Sequence, residues 1–174
     1  METAHDAYRR MLRDELRPRL QALGFIAPAL ETDTRHERPA FQTIGQENYA
    51  PGTGASDFRL EIPGYYALLA PQEYWGNNSA SFQFTINVLV TSHPQWQAFR
   101  ENGKDFMGNP WPAEPDTSTH YGPDGPWTQR LGPLMGVADK WWYISARRPT
   151  DPVAEEVANA VATYALPAIS ERTL

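Results

Sequence analysis

The chain has 174 residues, no cysteine, and 15 Lys plus Arg against 21 Asp plus Glu, a formal net charge of −6. The missing cysteines exclude a disulfide framework, a thiolate metal site and a cysteine nucleophile. The acid excess argues against a nucleic-acid binder, whose affinity rests on phosphate contacts. With 41% hydrophobic residues the length suits one core, and a single α+β domain over residues 1–174 is expected. No apolar run approaches the roughly 18 residues that cross a bilayer. The polar start Met1-Glu2-Thr3-Ala4-His5-Asp6 lacks the basic and apolar regions of a signal peptide. A cytoplasmic protein with no membrane partner is therefore the expectation.

The first element is a helix over about Asp6–Leu23, where Tyr8, Met11, Leu12, Leu16, Leu20 and Leu23 recur at three- and four-residue spacing. Its arginines, Arg9, Arg10, Arg13, Arg17 and Arg19, interleave with Asp6, Asp14 and Glu15, which suits a solvated face better than a phosphate-binding stripe. Gly24 stands where a left-handed C-cap is wanted. Pro18 predicts a kink, or two shorter helices with Pro18 in the first turn of the second. Residues 27–56 are broken by Pro28, Pro39, Pro51, Gly52 and Gly54, leaving loops and one short strand near Ala40–Ile44. Phe58, Leu60 and Ile62 then alternate with polar residues as in a half-buried strand. Pro63-Gly64 supplies a turn, and Tyr65–Ala70 the returning strand.

The strongest strand is Phe82–Val90. Phe82, Phe84, Ile86, Val88 and Val90 share one face, while Gln83, Thr85, Asn87 and Leu89 share the other. Five large apolar residues, each contributing about 1.5–3 kcal/mol on burial, mark it as central. Ser92 with Gln95 forms a capping-box signature for a helix over His93–Glu101, anchored by Trp96 and Phe99 and stopped by Asn102-Gly103. Residues 103–126 hold nine prolines and glycines in 24 positions, with Trp111, His120 and Tyr121 among them; so long a loop is functional or mobile. Strands at Trp127–Leu131 and Lys140–Ala146 follow. The last helix opens at Asp151-Pro152 and buries Val153, Val157, Val161 and Tyr164, with Ala160 filling in, until Pro167 ends or kinks it. The result is an α+β fold: an antiparallel sheet of about five strands with N-terminal and C-terminal helices packed on one face. The other face stays free for a site.

Several short stretches, taken in order, resemble a bacterial family known as a domain of unknown function. Leu23-Gly24-Phe25 matches a helix-ending step, Phe84-Thr85-Ile86-Asn87 a strand, Arg130-Leu131-Gly132 a second strand, Asp139-Lys140-Trp141-Trp142 a third, and Leu166-Pro167 the end of the last helix. After the hairpin, Gln72 and Trp75 match the family's glutamine and tryptophan, without the lysine and serine that usually accompany them. The resemblance implies a fold order and a bacterial source, and no activity.

Candidate chemistry is sparse. There is no Gly-x-Ser-x-Gly elbow, and Gly52-Thr53-Gly54 lacks the lysine of a phosphate loop. Asp116, His120 and Asp124 carry ligand types acceptable to divalent ions. The glycines and prolines around them argue against the helix that would align them, and turn residues are the plainer reading. No cofactor is expected. The aromatics are the better lead. Adjacent Trp141 and Trp142 on a strand must face opposite ways. One of them joins Gln83, Thr85, Asn87, Arg130 and Trp75 on the second sheet face, a polar floor with an aromatic wall. The alternative is that the 103–126 loop folds over that face and covers it. The preferred expectation is a binding or interaction protein for a protein partner or small polar ligand, with an immunity-type, neutralising role suggested by the attraction of acidic surfaces for basic partners. The alternative expectation is a metal-assisted hydrolase or transferase, with its site between that loop and the sheet.

Overall fold

The computed structural model describes residues 1–27, 58–105, 107–115 and 121–174. The strand expected near Ala40–Ile44 lies outside them. Helix α1 spans Ala4–Met11, opened by a capping box in which the Thr3 side chain accepts from the Asp6 backbone and Asp6 reaches back. A π-helical turn, Leu12–Leu16, links it to α2, Arg17–Ala22. Pro18 falls in the first turn of α2, one of the two expected outcomes. The proline ring would clash with the carbonyl four residues back and offers no N–H. The chain widens just before it, and the Arg17 N–H reaches five residues back to the Leu12 carbonyl.

Phe58–Arg59 (β1) and Tyr65–Glu73 (β2) form the expected hairpin. Gly64, with φ of +83°, takes the left-handed turn position after Pro63, and Gly24, with φ of +100°, the expected position after α2. Phe82–Ser92 (β3) is the central strand and pairs antiparallel with the whole of β2 through its residues Phe84–Ser92. Its capping box carries the chain into α3, His93–Asn102. Trp127–Arg130 (β4) and Trp142–Ile144 (β5) both pair antiparallel with β3, at Asn87–Val90 and at Phe82–Phe84 respectively. They make two halves of one broken edge strand. Between them the chain leaves the sheet through a four-residue helix, α4, Leu131–Leu134. This corrects the expected strand ends. Leu131 begins a helix, and Lys140 and Trp141 precede β5.

Helix α5, Asp151–Ala160, a second π-helical turn, Val161–Ala165, and α6, Leu166–Arg172, close the chain. Here too the widened turn stands directly before a proline at the second helical position, Pro167. The wider turn rotates the buried stripe. Val157 and Val161 are buried as expected, but Tyr164 is 38% exposed and Ala165 takes the inner position.

The main core lies between the terminal helices and the first face of the sheet. Tyr8, Met11, Leu16 and Leu20 meet Phe82, Phe84, Ile86, Val88 and Val90, with Val157, Val161 and Ile169 completing the layer. The fold is therefore α+β, a five-stranded antiparallel sheet with the terminal helices on one face. Among the described residues no helix is long and apolar enough to cross a membrane.

Candidate functional site

The register of the sheet sets what the second face displays. Across β2, β3 and the broken edge strand run the rows Leu68–Leu89–Thr128 and Ala70–Asn87–Arg130. Next comes Gln72–Thr85, which Trp141 extends because its neighbour Trp142 pairs with Phe84 on the opposite face. Then Gln83 pairs with Tyr143, and Tyr74, whose backbone N–H donates to the Gln83 carbonyl, sits on its other side. The period-two pattern of the strands thus brings Gln83, Thr85, Asn87, Arg130 and Trp141 onto one face.

The two ends of this face differ. At the first row Leu68 and Leu89 are buried beneath Trp96 of α3 and Tyr121, with Phe99 and Trp111 against them. The rings of Trp96, Phe99, Trp111 and Tyr121 lie 5.2–5.7 Å apart by centroid, and the Trp96 indole N–H donates to the Ala113 carbonyl. The described part of the proline-rich segment therefore does cover the face at this end.

At the other end the face is polar and aromatic. Two residues expected to meet a ligand are instead spent internally. Thr85 is fully buried, its hydroxyl donating to the Lys140 carbonyl at 2.8 Å. Asn87 is 8% exposed and donates to Gln72 Oε1 at 2.8 Å. Both are strand-interior groups whose polar atoms had to be satisfied once covered. Trp142 is a correction of another kind. It faces the main core at 2% exposure, its ring tilted against Phe84, because alternation puts it opposite Trp141. Gln83 is half-buried on the second face.

What remains at the surface is a strip. Trp75 is 49% exposed and lies 5.4 Å from Tyr74; Tyr74 meets Trp141 edge-on at 5.4 Å. The Arg130 guanidinium sits 5.1 Å from the Trp141 ring centroid and pairs with Asp139 at 2.8 Å. Asp139 also accepts from the Trp141 indole N–H at 3.0 Å, which fixes the ring's rotation. Tyr143, 51% exposed, flanks the strip. Asp139, Tyr74 and Tyr143 were not among the candidates read from the sequence. The alternation that selected Gln83 and Trp141 also reaches Tyr143, two positions on, while the ion pair of Asp139 depends on the excursion at 131–141.

Gly132 makes that excursion possible. A Cβ there would stand 2.5 Å from the Lys140 nitrogen and 2.7 Å from the Asp139 carbonyl carbon, closer than real atoms approach. The stretches Arg130-Leu131-Gly132 and Asp139-Lys140-Trp141-Trp142 are thus one unit in space. Glycine admits the returning backbone, which presents Asp139 to Arg130 and splits the two tryptophans between the faces.

Asp116 and His120 lie outside the described residues. Asp124 precedes β4, and among the described residues no group of three His, Cys, Asp or Glu is placed to hold a metal. Two clefts open away from the strip. One, of 820 Å³, lies between α3, the end of β3, the 124–127 segment and Arg172. The other, of 440 Å³, lies along the β1–β2 hairpin and His93.

No curated protein and no solved structure matches the chain. The model of one family does, over residues 52–171, a stretch that takes in β1 and ends in α6. Leu23-Gly24-Phe25 falls outside that stretch, whereas the unit built from Arg130–Gly132 and Asp139–Trp142 falls inside it. By that match the chain belongs to the family described as a domain of unknown function, DUF4304.

Proposed function

We propose that this is a non-catalytic binding protein that engages a protein partner through the strip Trp75–Tyr74–Trp141–Arg130. The observation that carries the reading is that these side chains are held in place yet left at the surface. Ring contacts and the Asp139 pair order them, so little side-chain entropy is lost on docking. Trp, Tyr and Arg are also the residue types that dominate interface energetics. A strip away from both clefts suits a broad macromolecular surface better than an enclosed small molecule. The net charge of −6 favours a basic partner by long-range attraction, which suits a neutralising, immunity-type role in a bacterial cytoplasm.

The test is affinity recovery from the source cell's lysate with the unaltered chain, Trp75→Ala and Arg130→Ala. A partner recovered by the unaltered chain should be lost from both variants, each retaining its circular dichroism spectrum. Equal recovery by all three would remove the strip as the docking face.

A further inference from the structure

The cleft at the far edge of the sheet has a chemistry of its own, independent of the strip. Its apolar lining comes from Val90, Phe99 and Trp127, and its volume is 820 Å³. At one wall stands Arg172. Its guanidinium carbon lies 3.7 Å from the Trp127 ring centroid, and its Nη1 donates to the Ala168 carbonyl at 2.9 Å. Stacking on one side and an anchor on the helix hold the group in one place. Its acidic neighbour Glu171 is 3.7 Å away and largely exposed, so that pair is weak. Asp124 also lines the cleft, and its carboxylate makes no hydrogen bond or ion pair among the described residues. The α3 wall supplies two half-used amides. Gln95 spends its Oε1 on the Ser92 N–H, leaving the Nε2 donor, and Asn102 spends its Nδ2 on the Ala98 carbonyl, leaving the Oδ1 acceptor.

A fixed cation, an uncommitted anion, one spare donor and one spare acceptor beside the Phe99 ring are complementary to a molecule that carries both charges and an apolar group. A ligand of one sign would leave either Asp124 or Arg172 facing a like charge. We propose that this cleft binds a small zwitterion of the amino-acid class, its carboxylate toward Arg172, its ammonium toward Asp124 and its apolar side chain against Phe99.

Phenylalanine is the probe, titrated calorimetrically into the full chain beside phenylalanine amide, which lacks the carboxylate, and N-acetylphenylalanine, which lacks the ammonium. One site is expected for phenylalanine, with each derivative at least about tenfold weaker. In Asp124→Asn the penalty for N-acetylation should vanish. In Arg172→Gln the penalty for the amide should vanish. Glycylphenylalanine separates a single amino acid from a dipeptide as the better fit to the volume. No heat from any of these up to about 10 mM, a range that covers millimolar dissociation constants, would overturn the proposal, as would affinities unchanged in both variants. Amide shift mapping with phenylalanine on the unaltered chain needs no variant. Shifts centred on residues 95–103 and 124–128 support the site, and shifts centred elsewhere overturn it.

Discussion

A single hydrogen at Gly132 decides whether the edge of the sheet can be built. The returning backbone at Asp139–Lys140 occupies the space a methyl group would need, and the near atoms are backbone, which has little room to give. Gly132→Ala should therefore push that segment outward, at a cost of about 1–3 kcal/mol typical of overpacking. It should also loosen the Arg130–Asp139 pair. Denaturant unfolding measures the first effect; a red shift of tryptophan emission, as Trp141 loses its Asp139 bond, measures the second. A wild-type midpoint and spectrum would show that the segment moves aside freely. His5 supplies a second test at this scale. It stacks on Phe82 at 5.4 Å, and burial, with help from Arg9 and against Asp6, holds its pKa below the ordinary value. A histidine depressed in this way is neutral in the fold at pH values where the unfolded chain already takes up a proton. Its stability contribution is thus complete above about pH 6.5 and lost as the pH falls through the lowered folded value. His5→Phe keeps the stacking and removes the titration. The stability difference between His5→Phe and the unaltered chain should be flat above about pH 7 and move in favour of the variant at lower pH. A difference independent of pH would show that His5 titrates as an ordinary exposed histidine.

At the scale of elements, the terminal helices are joined by a polar contact that no local pattern announces. Glu15, in the first π-helical turn, accepts from the Thr150 hydroxyl at 2.6 Å and from Arg10 at 3.4 Å. Arg19 in α2 pairs with Asp151 at the start of α5 at 2.8 Å. Thr150 is buried, so its hydroxyl needs this partner. A double-mutant cycle of Glu15→Ala and Thr150→Val should show a coupling of about 1.5 kcal/mol, the low end for a hydrogen bond to a charged group because the pair is only part-buried. Additive effects would make the contact incidental. What was legible in these elements, and what was not, has a common cause. The helix stripes, the hairpin and the two faces of β3 follow from periodicity, because each residue's environment there is set by its own strand or helix. Leu12, Leu16 and Pro18 repeat the spacing of Val161, Ala165 and Pro167. The prolines signalled a disturbance, but whether a helix kinks or widens depends on what it must pack against. Ala165 is buried and Tyr164 exposed because the second turn widens. Similarly, alternation assigned Thr85 and Asn87 to the second face correctly. Their burial came from Lys140 and Gln72, contributed by the 131–141 excursion and by β2, and no count along β3 reveals it.

At the scale of the whole molecule, one sheet carries two apolar layers of unequal size. The larger joins helices from both ends of the chain; the smaller consists of Leu68, Leu89, Trp96 and Tyr121 with Phe99 and Trp111 against them. The smaller layer is also what closes one end of the second face and leaves the aromatic strip open at the other. Trp96 is its hub, fully buried, in ring contact with both Phe99 and Tyr121, and tied by its indole N–H to Ala113. Trp96→Ala should cost about 3–5 kcal/mol, the range for truncating a buried tryptophan. The loss should be uneven. Since α1 and α5 pack on the opposite face, their amides should keep their hydrogen-exchange protection under native conditions relative to global unfolding. Amides of α3 and of residues 107–115 should exchange faster through local opening. If instead protection falls equally in all helices, the two layers form a single cooperative unit. The strip would then depend on Trp96 for its shape, and Trp96→Ala would impair partner recovery as severely as Trp75→Ala. If protection falls only around α3, the strip is structurally independent of the layer beside it, and Trp96→Ala should recover partner as the unaltered chain does.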